Sequence, residues 1–397
     1  MRRLVALLYA FHILVSADSN AVIPLVPTFT TRFGLSVFEA GLLVAAPAFA
    51  MLLLSVPVGL LCDRAGARAV TIVASALLTL SALGQALAGS YALLLASWAL
   101  FGTASAIIYT ASPAWLAAAA PPRYRVAVLG GIAIAAGLGL MLGPAFSGLL
   151  SEQFGSGAPF LVVAGAAAVV TVGLLLQPSS GTARLTPAAG SLRAMVREAN
   201  GASVLGLMFF IGSLGGIVNL LVPLRLHRDG LGAGSIGIAF TASTALFVLT
   251  SGPVARLGDR VSLLAASGTA TLALGAVLLI PVLAGSAVPM IVFLVVRAPL
   301  WSVVSTISNP LCAHGAALAG VGTGLALALM NLCWAAGNLG GPLAGGALAG
   351  AVGDRPVFAL LGLAGTLIGV AVLGVHLRSR QFPGSDARSG DPLEVRR

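Results

Sequence analysis

The chain reads as an all-α integral membrane protein, with about twelve transmembrane helices arranged as two related six-helix bundles. Three observations predict this. Hydrophobic residues make up 58% of the 397, while charged ones make up only 8%. Long apolar stretches recur along the whole chain, and the second half repeats polar landmarks of the first.

Soluble domains carry charge on about a quarter of their residues, so 8% cannot cover a surface that faces water. A bilayer removes that demand, because lipid meets the outer surface. A crossing needs roughly 20 apolar residues, and the apolar runs here show no period-2 alternation. They therefore predict helices and not a barrel. Fifty glycines fit helices that approach one another closely.

In chain order the spans are placed at 4–27, 37–60, 69–89, 91–113, 127–150 and 158–177, then at 203–224, 234–254, 262–284, 289–312, 319–347 and 356–377. The first is too long, and too polar in its middle, for a cleaved signal peptide. The eleventh has the weakest edges, since Gly and Ala run almost unbroken from Gly315 to Val352. Residues 178–201 are polar, turn-rich and basic, and read as a cytoplasmic linker. Within it, Ser191–Ala199 has the pattern of a short amphipathic helix on the membrane surface. The expected organisation is an amino-terminal bundle over 1–177, the linker, a carboxy-terminal bundle over 202–377 and a disordered cytoplasmic tail over 378–397.

Net charge is +10, and all 21 basic residues are arginines. With both termini inside, sixteen arginines fall in cytoplasmic segments, and only Arg32, Arg225, Arg228 and Arg355 fall outside. This bias obeys the positive-inside rule and predicts an even number of spans, in a bacterial plasma membrane. The arginines sit at span ends and form no single patch, so a nucleic-acid partner is not expected. Cys62, Cys312 and Cys333 are scattered, and His12, His227, His314 and His376 form no ligand motif. No metal, cofactor or disulfide framework is predicted. Nor does a nucleotide loop or nucleophile constellation point to an enzyme.

The duplication is the most informative feature. Arg32, Gly34, Leu35 and Gly41 recur as Arg228, Gly230, Leu231 and Gly237, at an offset of 196. Ser55, Pro57, Val58, Leu61, Asp63 and Arg64 recur at the same offset as Ser251, Pro253, Val254, Leu257, Asp259 and Arg260. Asn20 and Pro24 pair with Asn219 and Pro223 at 199, and Gly143-Pro144 with Gly341-Pro342 at 198. Parallel repeats of six spans predict a central site between the halves.

Between the second and third spans the chain reads GLLCDRAGAR, Gly59 to Arg68. This resembles the loop signature of the major facilitator superfamily, matching at Gly59, Leu61, Asp63, Arg64, Gly66 and Arg68, with Ala67 in place of a basic residue. Its charges stand at helix ends, where they can pair with each other or with backbone dipoles. With the degenerate copy at Asp259-Arg260, it reads as a cytoplasmic gate; the simpler alternative is a turn that only fixes topology. The fifth span also resembles the signature of the drug and metabolite antiporters of that superfamily, with Gly139, Gly143, Pro144 and Gly148 present and Ser147 replacing one glycine. The eleventh span carries it in full at Gly337, Gly341, Pro342, Gly345 and Gly346. Tight helix packing accounts for the glycines; a bias toward antiport is what the resemblance adds. One departure stands out. These antiporters usually carry an Arg in the fourth span four residues before a glycine, where this chain has Trp98 before Gly102. At an offset of 199, Trp98 maps onto Arg297 in the tenth span.

Asp18 and Arg297 are the intramembrane charges. Ionisable residues at such depth are costly and are functional candidates. In the resembled fold the first, fourth, seventh and tenth spans line the cavity, so the pair is either functional or a satisfied structural bridge. Burial disfavours the charged form of a carboxyl and a nearby cation favours it, which makes Asp18 the candidate proton-coupling residue. Asn20, Trp98, Tyr109, Asn219, Trp301, Asn331 and Asn338 are further cavity candidates, each equally explained by helix packing.

The resemblance covers 1–377 and implies a secondary transporter working by alternating access, with proton-coupled export of a small organic molecule. An uptake symporter or facilitator is the alternative on the same fold, and a non-transporting receptor the more distant one. The expected partners are an uncharged, cationic or amphipathic small molecule, protons and the lipid bilayer, with the protein a monomer.

Overall fold

The computed structural model describes residues 2–177, 192–257 and 261–381, with positions 55, 56, 59, 60, 63, 122, 126, 192, 257 and 379–381 given in backbone only. Asp259 and Arg260 lie outside the described residues, as do 178–191 and 382–397.

The first span is α1 (Arg2–Ala21), a 3₁₀ turn at Ile23–Leu25 and α2 (Val26–Phe33). Then follow α3 (Val37–Ala65), α4 (Ala67–Ala86), α5 (Tyr91–Ala119), α6 (Arg125–Phe154) and α7 (Ala158–Leu175). A short α8 (Leu192–Arg197) leads into α9 (Ala199–Arg228), α10 (Ala233–Leu257), α11 (Leu263–Val277) and its one-turn extension α12 (Leu279–Leu283). The last three are α13 (Ala287–Leu318), α14 (Thr323–Val352) and α15 (Asp354–Gln381).

Local chemistry sets the boundaries. Ser36 and Glu39 form a reciprocal capping box that starts α3. Ser90 and Ser262 accept backbone N–H groups at the starts of α5 and α11. Gly66, at φ 82°, lets the chain turn between α3 and α4 in a conformation that side chains resist.

Among the described residues, eleven of these helical spans are long and apolar enough to cross a bilayer. The remaining one, α14, is diluted by Asn331, Asn338, Pro342 and its glycines. Its 30 residues nevertheless reach about 45 Å and pack along α9 and α3, which completes twelve spans. Two boundaries differ from expectation. α15 runs to Gln381, four residues into the segment read as tail, and α9 begins at Ala199, inside the segment read as linker.

Packing repeats as the sequence does. α1 lies on α6, α3 on α5, and α4 on α5 and α7; in the second bundle α9 lies on α14, α10 on α13, and α11 on α13 and α15. The bundles meet where α6 packs on α10 and α3 on α14.

The tertiary register corrects part of the repeat alignment. Gly139 approaches the Ile13 carbonyl and Gly337 the Phe209 carbonyl, while Gly143 and Gly341 lie on Ala17 and Ser213. The offset from α1 to α9 is therefore 196, and Pro27, not Pro24, is the counterpart of Pro223. Pro223 sits inside an unbroken α9, whereas the additional Pro24 removes a donor from the helix and turns the chain through a 3₁₀ step. Likewise Ser90 and Ser286 are the N-caps of α5 and α13, so Arg297 aligns with Phe101 and not with Trp98.

We call the end bearing the start of α1 the near face and the opposite end the far face. Close glycine contacts between bundles gather in the far half: Gly41 on Pro342, Gly346 on Val37, Gly237 on Pro144 and Gly148 on Ala233. The 3₁₀ turn also touches α9 and α10, and α2 touches α9.

Candidate functional site

Asp18 occupies the face of α1 that also carries Leu4, Leu8, Phe11 and Val15, buried in the heart of the first bundle. Its side chain has no exposure, and neither carboxyl oxygen is hydrogen-bonded. The Gln85 side chain of α4 sits beside it, and both Gln85 amide atoms are likewise buried without a hydrogen-bond partner. Trp98 joins the same interior. Its ring stacks on Phe101 at 4.8 Å and meets Phe160 edge-on, leaving its Nε1 unpartnered.

A second face of α1 carries a polar stripe. His12 Nε2 and Ser112 Oγ are 2.7 Å apart, and Ser16 Oγ and the Tyr109 hydroxyl 3.1 Å apart. The Tyr109 ring lies 5.5 Å from His12 and is 42% exposed, whereas His12, Ser16 and Ser112 are fully buried. Asn20, one turn further on, donates to the Leu140 carbonyl of α6 at 2.9 Å and ties α1 to that helix.

In the second bundle Arg297 projects from α13 with 7% exposure. Its guanidinium lies 4.7 Å over the Trp301 ring and 6.0 Å from that of Phe293, and its Nε has no partner. Among the described residues Arg297 makes no ion pair, so the Asp18–Arg297 bridge that the depths allowed is not formed. The tip of Trp301 rests against Gly215 of α9, beside Asn338 of α14. Asn219 is half-buried and Asn331 exposed.

At the α3–α4 turn, Arg68 donates from Nε to the Gln177 carbonyl and from a terminal nitrogen to the Leu175 carbonyl, each at 3.0 Å. Here the cation answers a helix C-terminus, that of α7. Arg64 is exposed. The glycine-proline motifs of α6 and α14 are seams in which Gly139, Gly143, Gly148, Gly337, Gly341 and Gly346 admit the backbone of a neighbouring helix, while Gly345 makes room for the Ile217 side chain.

Residues 8–332 match the family described as Major Facilitator Superfamily. The chain belongs to this superfamily. It is a multi-pass secondary transporter and not an enzyme. One curated relative, the "Multi-drug resistance efflux pump PmrA homolog" of Lactococcus lactis subsp. lactis (strain IL1403), is 32% identical over 162 residues. That match spans 40% of this chain and 40% of the relative. Among solved structures, a bacterial homolog of the human lysosomal transporter Spinster, inward-facing and occupied, is similar at a TM-score of 0.75 and 16% identity, with 98% of each chain covered. The D-xylose-proton symporter is similar at 0.75 and 14%, with 93% of this chain and 96% of that one covered. At these identities the likeness is one of fold.

Within this superfamily architecture the sequence left some residues unread. Gln85 is an amide in an otherwise apolar span, a signal that was available. His12, Ser16 and Asn20 recur every four residues and so share one helical face. Glu152, near the C-terminal end of α6, accepts the Gly234 N–H at 2.8 Å across the bundle interface.

Proposed function

We propose that the protein is a proton-coupled exporter of small organic molecules, with both termini cytoplasmic and Asp18 as the coupling acid. The observation that supports it is the Asp18 carboxyl, wholly buried in α1 with no hydrogen bond and no cationic partner among the described residues. A carboxyl held by a salt bridge is fixed in one charge state, whereas this one has only the Gln85 amide beside it. Its proton can then be exchanged as access alternates between the two faces. The bundles meet tightly in their far half, which suits a state open at the near, cytoplasmic face, and rocking about that seam alternates access. The Asp63 turn and its copy at Asp259-Arg260 act as the cytoplasmic gate. Export is favoured over uptake by the partial likeness to a protein named as an efflux pump.

Reconstitution in proteoliposomes tests the reading. An imposed pH gradient drives uphill movement of a substrate drawn from a panel of lipophilic dyes and organic acids. Asp18→Asn abolishes that accumulation while downhill exchange survives. Uphill transport by a normally folded Asp18→Asn protein would exclude Asp18 as the coupling residue.

A further inference from the structure

We infer that Arg297 and Trp301 are the anchor for an anionic group on the cargo, and that the cargo is an organic carboxylate with a planar or apolar body. The inference rests on the transport reading above and narrows its substrate.

The chain itself shows how a structural buried arginine is satisfied. Arg225, 8% exposed, donates to the carbonyls of Pro281 and Ala284 and to Asp354. Arg297 is equally buried, yet it donates to no carbonyl and meets no carboxylate among the described residues. A guanidinium stays protonated at physiological pH, so Arg297 cannot shed its charge. A buried cation lacking a counter-ion is strongly unfavourable. Among the described residues, the single buried acidic side chain, Asp18, belongs to the core of the other bundle. No described residue supplies the missing acceptor, and the cargo is the group that provides it.

The surroundings define what fits. Trp301 lies 4.7 Å from the guanidinium, and this cation–π contact braces a planar fork whose geometry matches a bidentate carboxylate. Gly215 leaves room for the indole tip from α9, and Asn338 of α14 adds an amide beside it. Trp301 is only half-buried, so part of its face remains to stack a flat apolar body. One charge set among aromatic surfaces suits an amphipathic monoanion better than a sugar or an inorganic ion.

The test uses the purified full chain, calorimetric titration and three probes: 1-naphthoate, its neutral isostere 1-naphthamide, and inorganic phosphate. Naphthoate should bind at least about tenfold more tightly than naphthamide, the worth of one charge-assisted contact. Phosphate at equal concentration should not displace it. Arg297→Gln should erase the preference, Arg297→Lys should retain part of it, and Trp301→Phe should weaken both naphthyl probes while the preference persists. Equal binding of the two isosteres by the unaltered protein, binding of neither, displacement by phosphate, or a preference that survives Arg297→Gln would each overturn the inference. If Arg297→Gln does not fold, the isostere comparison on the unaltered protein decides. No pH gradient is involved, so a failure of proton coupling at Asp18 leaves this result standing, and the reverse.

Discussion

The backbone carbonyl of Pro144 lies where a β-carbon on Gly237 would have to sit, and the Pro342 carbonyl stands in the same relation to Gly41. Gly237 and Gly41 are repeat partners, as are Pro144 and Pro342, so each bundle inserts its proline-bearing helix against the glycine of the other. Proline lacks an N–H and so frees the carbonyl four residues before it, which for Pro144 is the Leu140 carbonyl that Asn20 donates to. At Gly237 and Gly41 it is the missing β-carbon that lets the Pro144 and Pro342 carbonyls approach. The two contacts form a matched pair across the interface, and both lie in the half that is closed.

Gly237→Val should therefore destabilise the fold by about 1–3 kcal/mol, the usual cost of overpacking. Gly41→Val should cost a similar amount. Gly252→Val, on the same helix as Gly237 but with nothing within 4 Å of its β-carbon position, is the control and should be nearly neutral. Thermal unfolding in one detergent compares the three. Equal losses at 237 and 252 would show that the Pro144 contact does not constrain the interface.

Glu152 makes the seam asymmetric. α3 carries its own capping box at Ser36 and Glu39, but the matching positions of α10 are Gly232 and Ser235, and its N-terminal Gly234 N–H is capped by Glu152 from the other bundle. Glu152→Ala should lower stability by about 1 kcal/mol, as loss of a cap does, and should increase separation of the far ends. Adding Gly232→Ser should restore stability by capping α10 locally, without restoring closure. Spin labels at positions 154 and 229 report the separation. An unchanged distance in Glu152→Ala would remove Glu152 from the seam.

Asp354 receives both Arg225 and Arg228, at 3.4 and 3.1 Å, but the two arginines differ in exposure, 9% against 64% of the side chain. Asp354→Ala should cost about 2–3 kcal/mol, because Arg225 keeps its two carbonyls but loses its counter-ion. Arg228→Ala should stay within about 0.5 kcal/mol. Unfolding midpoints for the two variants measure the contrast, and comparable losses would refute it.

Orientation in the membrane follows from arginine placement and is open to direct labelling. Positions 193 and 228 are both exposed. An impermeant maleimide added to intact cells should tag Arg228→Cys and leave Arg193→Cys untouched until the membrane is broken. The reverse pattern would place both termini outside.

The sequence by itself determined the solvent, the number of crossings and the internal repeat. Eight per cent charge leaves a water-exposed fold no means of covering itself, and landmarks such as Arg32-x-Gly34 and Arg228-x-Gly230 survive because each marks the end of a helix. The motif glycines at 139, 143, 337 and 341 were legible too, since only helix contact explains such spacing. Register was decided by the tertiary structure. A shift of three residues, from 199 to 196, is nearly one helical turn and leaves the apolar pattern intact, so sequence periodicity cannot detect it. The packing of Gly139 on Ile13 and of Gly337 on Phe209 does. The same blindness hid the fate of the two deep charges. Depth along a helix is a matter of counting residues at a fixed rise, but the direction of a side chain depends on which helices close around it. Asp18 and Arg297 share a depth on paper. In the fold one faces Gln85 inside the first bundle and the other lies over Trp301 in the second, because α1 and α13 turn different faces to their own neighbours.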